Sequence, residues 1–219
     1  MKLFLTSSGL PPETTEAFLG LLDKDPKEAT ICFIATAADP YDDKWFVEKD
    51  RQRLRELGFK ITEIDLKQEN EESLTDKLGL VDVVFVEGGN TFYLMKYIRE
   101  SGFEQAVKRF LKNGGIYLGV SAGSYVACPD IFPAQWKHAE DENTVGLKDF
   151  KGLDLVSFYV SLHYVPDHEA ILNANKNKVS STIFALTDSQ AILVNRYVRF
   201  VGPGEVKEFH QDNPGEVEL

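Results

Sequence analysis

Cysteine is scarce: 219 residues contain two, Cys32 and Cys128, and neither has a second cysteine at metal-ligand spacing. That excludes a disulfide framework and a cysteine-based zinc site. Cys32 lies in the apolar run 31–35 and Cys128 beside Pro129, so both are expected to be buried free thiols. Long apolar runs are missing as well, and no stretch of 18 residues is apolar enough for a membrane-spanning helix. Residues 1–9 have one basic side chain and too short an apolar run for a secretory signal, so the expected location is cytoplasmic. Positive charge is in deficit, with 24 Lys and Arg against 35 Asp and Glu and a net charge of −11. Nucleic acid and anionic membrane are poor partners for such a surface. No metal-ligand cluster stands out, and neither metal nor cofactor is expected. Histidine is also sparse: four residues, His138, His163, His168 and His210, are the whole supply of imidazole bases.

What is present is order. The length suits one well-buried domain, 1–219, and no linker, repeat or composition break divides it. Apolar runs at 2–6, 30–35, 60–64, 81–86 and 116–119 read as strands; the last two hardly alternate, as strands covered on both faces should. Amphipathic segments separate them. The spacing predicts helices over 44–57, ended by Gly58, over 91–101 behind the N-cap Asn90 and before Gly102, and through Phe103, Ala106, Val107, Phe110 and Leu111. This β-α-β order implies a doubly wound α/β fold with a mainly parallel sheet. Strands at 191–194, 197–201 and 205–209, separated by Asn195-Arg196 and Gly202-Pro203-Gly204, read as a C-terminal antiparallel meander. Residues 137–151 are the most polar stretch and read as a surface excursion.

Three segments carry chemistry. Gly119-Val120-Ser121-Ala122-Gly123 fits G-x-S-x-G at the end of a buried strand, with a short helix expected over 122–127. Such an elbow exposes a serine hydroxyl above the sheet, and the helix start presents N–H groups to an oxyanion. His163 ends the apolar run 155–162, where a strand delivers it to the sheet edge that hosts sites in open α/β folds. His138, His168 and His210 lie in polar or terminal segments and read as surface or structural groups. Glu87-Gly88-Gly89-Asn90 follows the strand 81–86, so the Gly89 N–H can join the Ala122 N–H as an oxyanion hole, while Asn90 caps the next helix and is a candidate substrate contact.

These motifs, in order with Ala127-Cys128-Pro129 and His163-Tyr164, resemble the peptidase E family of serine peptidases, relatives of cyanophycinases and class I glutamine amidotransferases. The resemblance implies an α/β sandwich in which Ser121 attacks a peptide carbonyl, His163 is the base, and Gly89 and Ala122 supply the oxyanion hole. It also implies an aspartate fifteen residues after the serine, where this chain has Trp136. Cyanophycinases place a glutamate about eighteen residues on; Glu140 comes nearest and is the expected acid, with Asp141 and Glu142 as rivals. The family's arginine for an N-terminal aspartyl side chain has no counterpart in 166–181, which contains lysines only.

The expected activity is serine-type cleavage of short peptides through an acyl-enzyme, by a monomer or homodimer. Two alternatives remain at this point. One is a small-ester hydrolase of the α/β-hydrolase type, whose residues run serine, acid, histidine along the chain. The other is a non-catalytic binding or sensory relative.

Overall fold

The computed structural model describes residues 1–137 and 141–212. Strand β1 (Lys2–Thr6) leads through α1 (Pro12–Leu19) to β2 (Thr30–Ile34). Then come α2 (Trp45–Glu56), β3 (Lys60–Glu63), α3 (Glu71–Leu78), β4 (Val83–Val86), α4 (Thr91–Ser101), α5 (Phe103–Lys112), β5 (Ile116–Val120) and α6 (Ala122–Tyr125). The remainder holds β6 (Tyr159–Ser161), α7 (Glu169–Asn175), β7 (Ile183–Ala185), β8 (Ala191–Val194), β9 (Val198–Val201) and β10 (Lys207–Phe209).

Seven strands form one sheet in the order β3-β2-β4-β5-β1-β8-β9. The first five run parallel; β8 is antiparallel to β1, and β9 to β8. Successive residues of each strand supply opposite faces, and both faces are apolar. Phe4, Ile31, Phe33, Val83, Phe85 and Leu118 face one core, and Leu3, Leu5, Cys32, Ile34, Val84 and Tyr117 face the other. Burial pushes both thiols, Cys32 and Cys128, up to about 12, so neither is a thiolate at neutral pH.

Local signals set the helix ends. The Asn90 side chain accepts the Tyr93 N–H at 2.8 Å, and α4 stops at Gly102, which adopts φ +72°. The antiparallel tail is present but divided between two sheets. β8 and β9 extend the large sheet, whereas β10 pairs with β7 in a second sheet of order β10-β7-β6. That second sheet gives β6 its place, and His163 lies two residues beyond its end.

Candidate active site

Three neighbouring parallel strands deliver the site from their carboxyl ends, the edge at which open α/β sheets place ligands. In register, Thr6 of β1 faces Val120 of β5, and Val86 of β4 faces Gly119. The residues that follow, Ser7, Ser121 and Glu87-Gly88-Gly89, therefore emerge side by side.

Ser121 has φ +46° and ψ −108°, a backbone conformation that costs a non-glycine residue energy. Its surroundings explain how it persists. The Ser121 N–H donates to the Thr6 carbonyl at 3.1 Å, and the Ser121 carbonyl accepts from the Ser124 and Tyr125 N–H groups. The Ser124 hydroxyl contacts the Gly119 and Thr6 carbonyls at 2.7 and 2.8 Å. The flanking glycines are packing requirements: a Cβ on Gly119 would lie 2.5 Å from the Gly123 carbonyl oxygen, and one on Gly123 would lie 2.1 Å from that of Val86. With only one turn in α6, its contribution at the elbow is local N–H groups rather than a long helix dipole.

The Ser121 Oγ lies 3.1 Å from His163 Nε2. On the far side of the ring, His163 Nδ1 lies 2.6 Å from Asp188 Oδ1. The imidazole pair interaction holds the Asp188 carboxyl below the usual carboxylate range, so Asp188 is ionised at neutral pH. Ser7 ties this end together: its hydroxyl accepts the His163 backbone N–H at 2.6 Å and donates to Asp188 Oδ1 at 3.0 Å. His163 itself has φ +51°, and that hydrogen bond helps hold it there. The Gln190 side chain accepts the Thr187 N–H at 3.0 Å, closing the turn that presents Asp188.

Gly88 packs on the serine, with its Cβ position 3.2 Å from Ser121 Cβ. Its N–H donates to Glu87 Oε1 at 2.6 Å. Gly89 has φ +135°, and a Cβ there would lie 2.2 Å from the Ala37 carbonyl oxygen, so only glycine fits. Among the described residues, no acceptor takes the Gly89 or Ala122 N–H. A hydroxyl, an imidazole and a carboxylate in a row, beside such N–H groups, can perform acyl transfer.

The model of peptidase family S51 matches residues 3–197. The chain belongs to peptidase family S51. It is 31% identical over 203 residues to an uncharacterized peptidase of Pasteurella multocida (strain Pm70), an alignment covering 91% of this chain and 96% of that one. It is 32% identical over 142 residues to Peptidase E of Nostoc sp., covering 63% of this chain and 55% of that one. The crystal structure of a peptidase E-like protein from Listeria monocytogenes EGD-e superposes with a TM-score of 0.76 at 26% identity, covering 96% of this chain and 98% of that one. The protein is thus a serine-type peptidase of peptidase E type, as the motifs around Ser121 led one to expect. Among its described residues, no helix is long and apolar enough to cross a membrane.

The S51 chain brings Ser121 and His163 into contact, with Gly89 on the same cleft wall and Ala122 next to the serine in the chain, and the described carboxylate at the imidazole is Asp188. Glu140 lies outside the described residues. Its rival Asp141 accepts from the Thr91 N–H at 2.7 Å and the Thr91 hydroxyl at 2.5 Å, and the Glu142 carbonyl accepts from Asn90 Nδ2 at 2.9 Å. The Nδ1 position belongs to Asp188, which the sequence reading did not single out. The signal available was a carboxylate in the turn Leu186-Thr187-Asp188-Ser189-Gln190 before an apolar strand. Asn90 is 5% exposed, with its amide oxygen on the helix cap and its nitrogen on the Glu142 carbonyl. Both of its side-chain polar atoms therefore have partners within the protein, and its role in the fold is the cap of α4. His210 contacts Thr182 and Glu208 away from the cleft, while His168 lies on the cleft wall. His138 lies outside the described residues.

The cleft has a volume of about 660 Å³. Besides the groups at Ser121, it is lined by the aromatic side chains Tyr41, Trp45 and Phe46, and by Lys49, Asp50 and Glu87. The last two are buried carboxyl groups. Burial raises Asp50 from 3.8 to about 6, and burial with the nearby Asp50 charge holds Glu87 well above the usual carboxylate range. Between about pH 4 and 6 the folded protein binds more protons at Asp50 than the unfolded chain does. This contribution to stability is full below that window and is lost as pH rises through it. Replacing Asp50 by Asn should therefore add on the order of 2 kcal/mol of stability at pH 7 relative to its effect at pH 4. Denaturant midpoints of wild type and Asp50→Asn at both pH values measure this, and parallel pH profiles would sink it.

Proposed function

We propose that the protein hydrolyses short peptides through an acyl-enzyme on Ser121. His163 Nε2 takes the serine proton as Oγ attacks the scissile carbonyl carbon. The developing oxyanion accepts the Gly89 and Ala122 N–H groups. Imidazolium His163 then protonates the departing amine, the C–N bond breaks, and a water molecule activated by the same imidazole releases the acid product. Asp188 holds the imidazole with Nδ1 protonated and Nε2 free to accept, and stabilises the cation formed in the transition state.

The observation that carries this reading is the continuous row of contacts from Ser121 Oγ to Nε2 at 3.1 Å and from Nδ1 to Asp188 at 2.6 Å, at a strained elbow. Family membership supports it independently. The chain order serine, histidine, aspartate also differs from the serine, acid, histidine order of the α/β-hydrolase esterases. Labelling with a fluorophosphonate tests the proposal. Covalent modification at Ser121 is expected, and an inert serine would point instead to a non-catalytic relative.

Asp188→Asn should lower kcat by about 10² to 10⁴ with little change in KM, because the carboxylate acts mainly on the imidazolium of the transition state. Steady-state kinetics on a short peptide amide measure the split. An unchanged kcat would remove Asp188 from the mechanism. Among the described residues, the lysines on the cleft wall are Lys49 and Lys137, and no arginine lines it. A substrate read by a bidentate arginine, as for an N-terminal aspartyl side chain, is therefore not the one proposed.

A further inference from the structure

Helix α2 turns an aromatic strip toward the serine's cleft. Val47 and Leu54 enter the core, while Trp45, Phe46, Lys49 and Asp50, at i, i+1, i+4 and i+5, all line the cleft. Trp45 is 63% exposed, yet its place is fixed. Its N–H donates to Asp43 Oδ1 at 3.1 Å where the helix starts, and its ring meets that of Phe46 edge-on at 6.1 Å. Phe46 packs on the core and also meets Tyr41 edge-on, at 6.2 Å. Lys49 Nζ lies 5.8 Å from the centroid of the Trp45 ring.

The acyl-transfer chemistry uses none of these rings. Single exposed apolar side chains are ordinary, but this one belongs to a braced aromatic group on the wall of a cleft. Among the large apolar side chains exposed in the described residues, Trp45 and Val165 both line that cleft, and Val165 follows His163 by two positions. Concave walls of this kind, apolar and aromatic with a few polar groups, are built to take ligand side chains. Covering them releases water from apolar surface, and a rigid ring loses little freedom in the process.

We propose that Trp45, braced by Phe46 and Tyr41, is the platform of a subsite for an aromatic side chain of the peptide cleaved at Ser121. The proposal rests on the peptidase reading and names a substrate class for it. The occupant follows from the wall. An indole offers a negative face and a positive edge, which a second aromatic ring meets offset or edge-on with a gain beyond plain burial. The cleft, about 660 Å³ in volume and shared with Ser121 and His163, has room for such a ring beside the reacting carbonyl. The ring can come from the residue on either side of the scissile bond, and the probes below separate the two sources.

Calorimetric binding to the Ser121→Ala protein, which does not consume its ligands, tests the subsite with three probes. Phenylalanylglycine amide carries a ring on its first residue, glycylphenylalanine amide on its second, and glycylglycine amide carries none. At least one ring-bearing peptide is expected to bind roughly ten- to a hundredfold tighter than glycylglycine amide, as burial of an aromatic side chain provides. Which of them does so assigns the ring to the acyl or the leaving side. Adding Trp45→Ala should lower that preference about tenfold. Indole emission should also shift to the blue as the preferred probe saturates the protein, because the other tryptophan, Trp136, is already buried. Equal affinity for all three probes, including no binding of any, overturns the proposal, as does a preference that Trp45→Ala retains. An unmoved emission overturns it without needing that variant to fold. Fluorophosphonate labelling of wild-type Ser121 is read separately: its failure removes the peptidase chemistry and leaves the binding ratios to judge the subsite.

Discussion

Ser121→Ala is expected to lower kcat on a short peptide amide by about 10⁴ or more while leaving the fold intact. The size of the loss follows from the role: without Oγ there is no atom to form the acyl bond, and only positioning and the oxyanion N–H groups remain. Stability should change by about 1 kcal/mol or less. The hydroxyl is half-buried, its one side-chain partner among the described residues is His163, and alanine keeps the same strained backbone at φ +46°. Unfolding midpoints that match wild type, together with lost turnover, are the expected pair of results. Wild-type turnover by the purified variant would show that Ser121 is not the nucleophile.

His163→Ala should be as severe, and among the histidines it should stand alone. Nε2 lies 3.1 Å from Ser121 Oγ, so the imidazole is the group positioned to take its proton. His210 sits on Thr182 and Glu208, and His168 accepts the Val165 N–H at 3.4 Å; their alanine variants should stay within a few fold of wild type. Combining Ser121→Ala with His163→Ala should be hardly worse than either alone, because a nucleophile and its base act as a unit. Kinetics on the three single variants and the double variant check this. A comparable loss at His168 would transfer the base to the other histidine of that segment.

The prediction for Asp188 depends on a carboxylate that spacing from the serine did not single out. Spacing carried over from relatives led to Glu140, reached by following the chain forward from the serine. In the folded protein the Asp188 carboxylate arrives from the opposite direction. The turn that holds it precedes β8, and β8 pairs antiparallel with β1, Thr6 facing Ala191. That pairing brings Ser7 and Asp188 to the same end of the sheet, and the Ser7 hydroxyl then joins Asp188 to the His163 backbone.

The sequence by itself determined the features whose causes are local. The elbow was legible because only small residues flank Ser121, and the close approaches at Gly119 and Gly123 demand them. The start and stop of α4 were legible because Asn90 caps its own helix and Gly102 takes a left-handed backbone that ends it. The buried parallel strands were legible because both faces of each must be apolar. Tertiary structure alone decided which acid meets His163, which strand β10 joins, and that Asp50 and Glu87 share the serine's cleft. Each of these depends on strand pairing or helix docking between segments far apart in the chain. Such choices are set by long-range burial and register, and a short window of sequence around Asp188, Lys207 or Asp50 contains no trace of the partner.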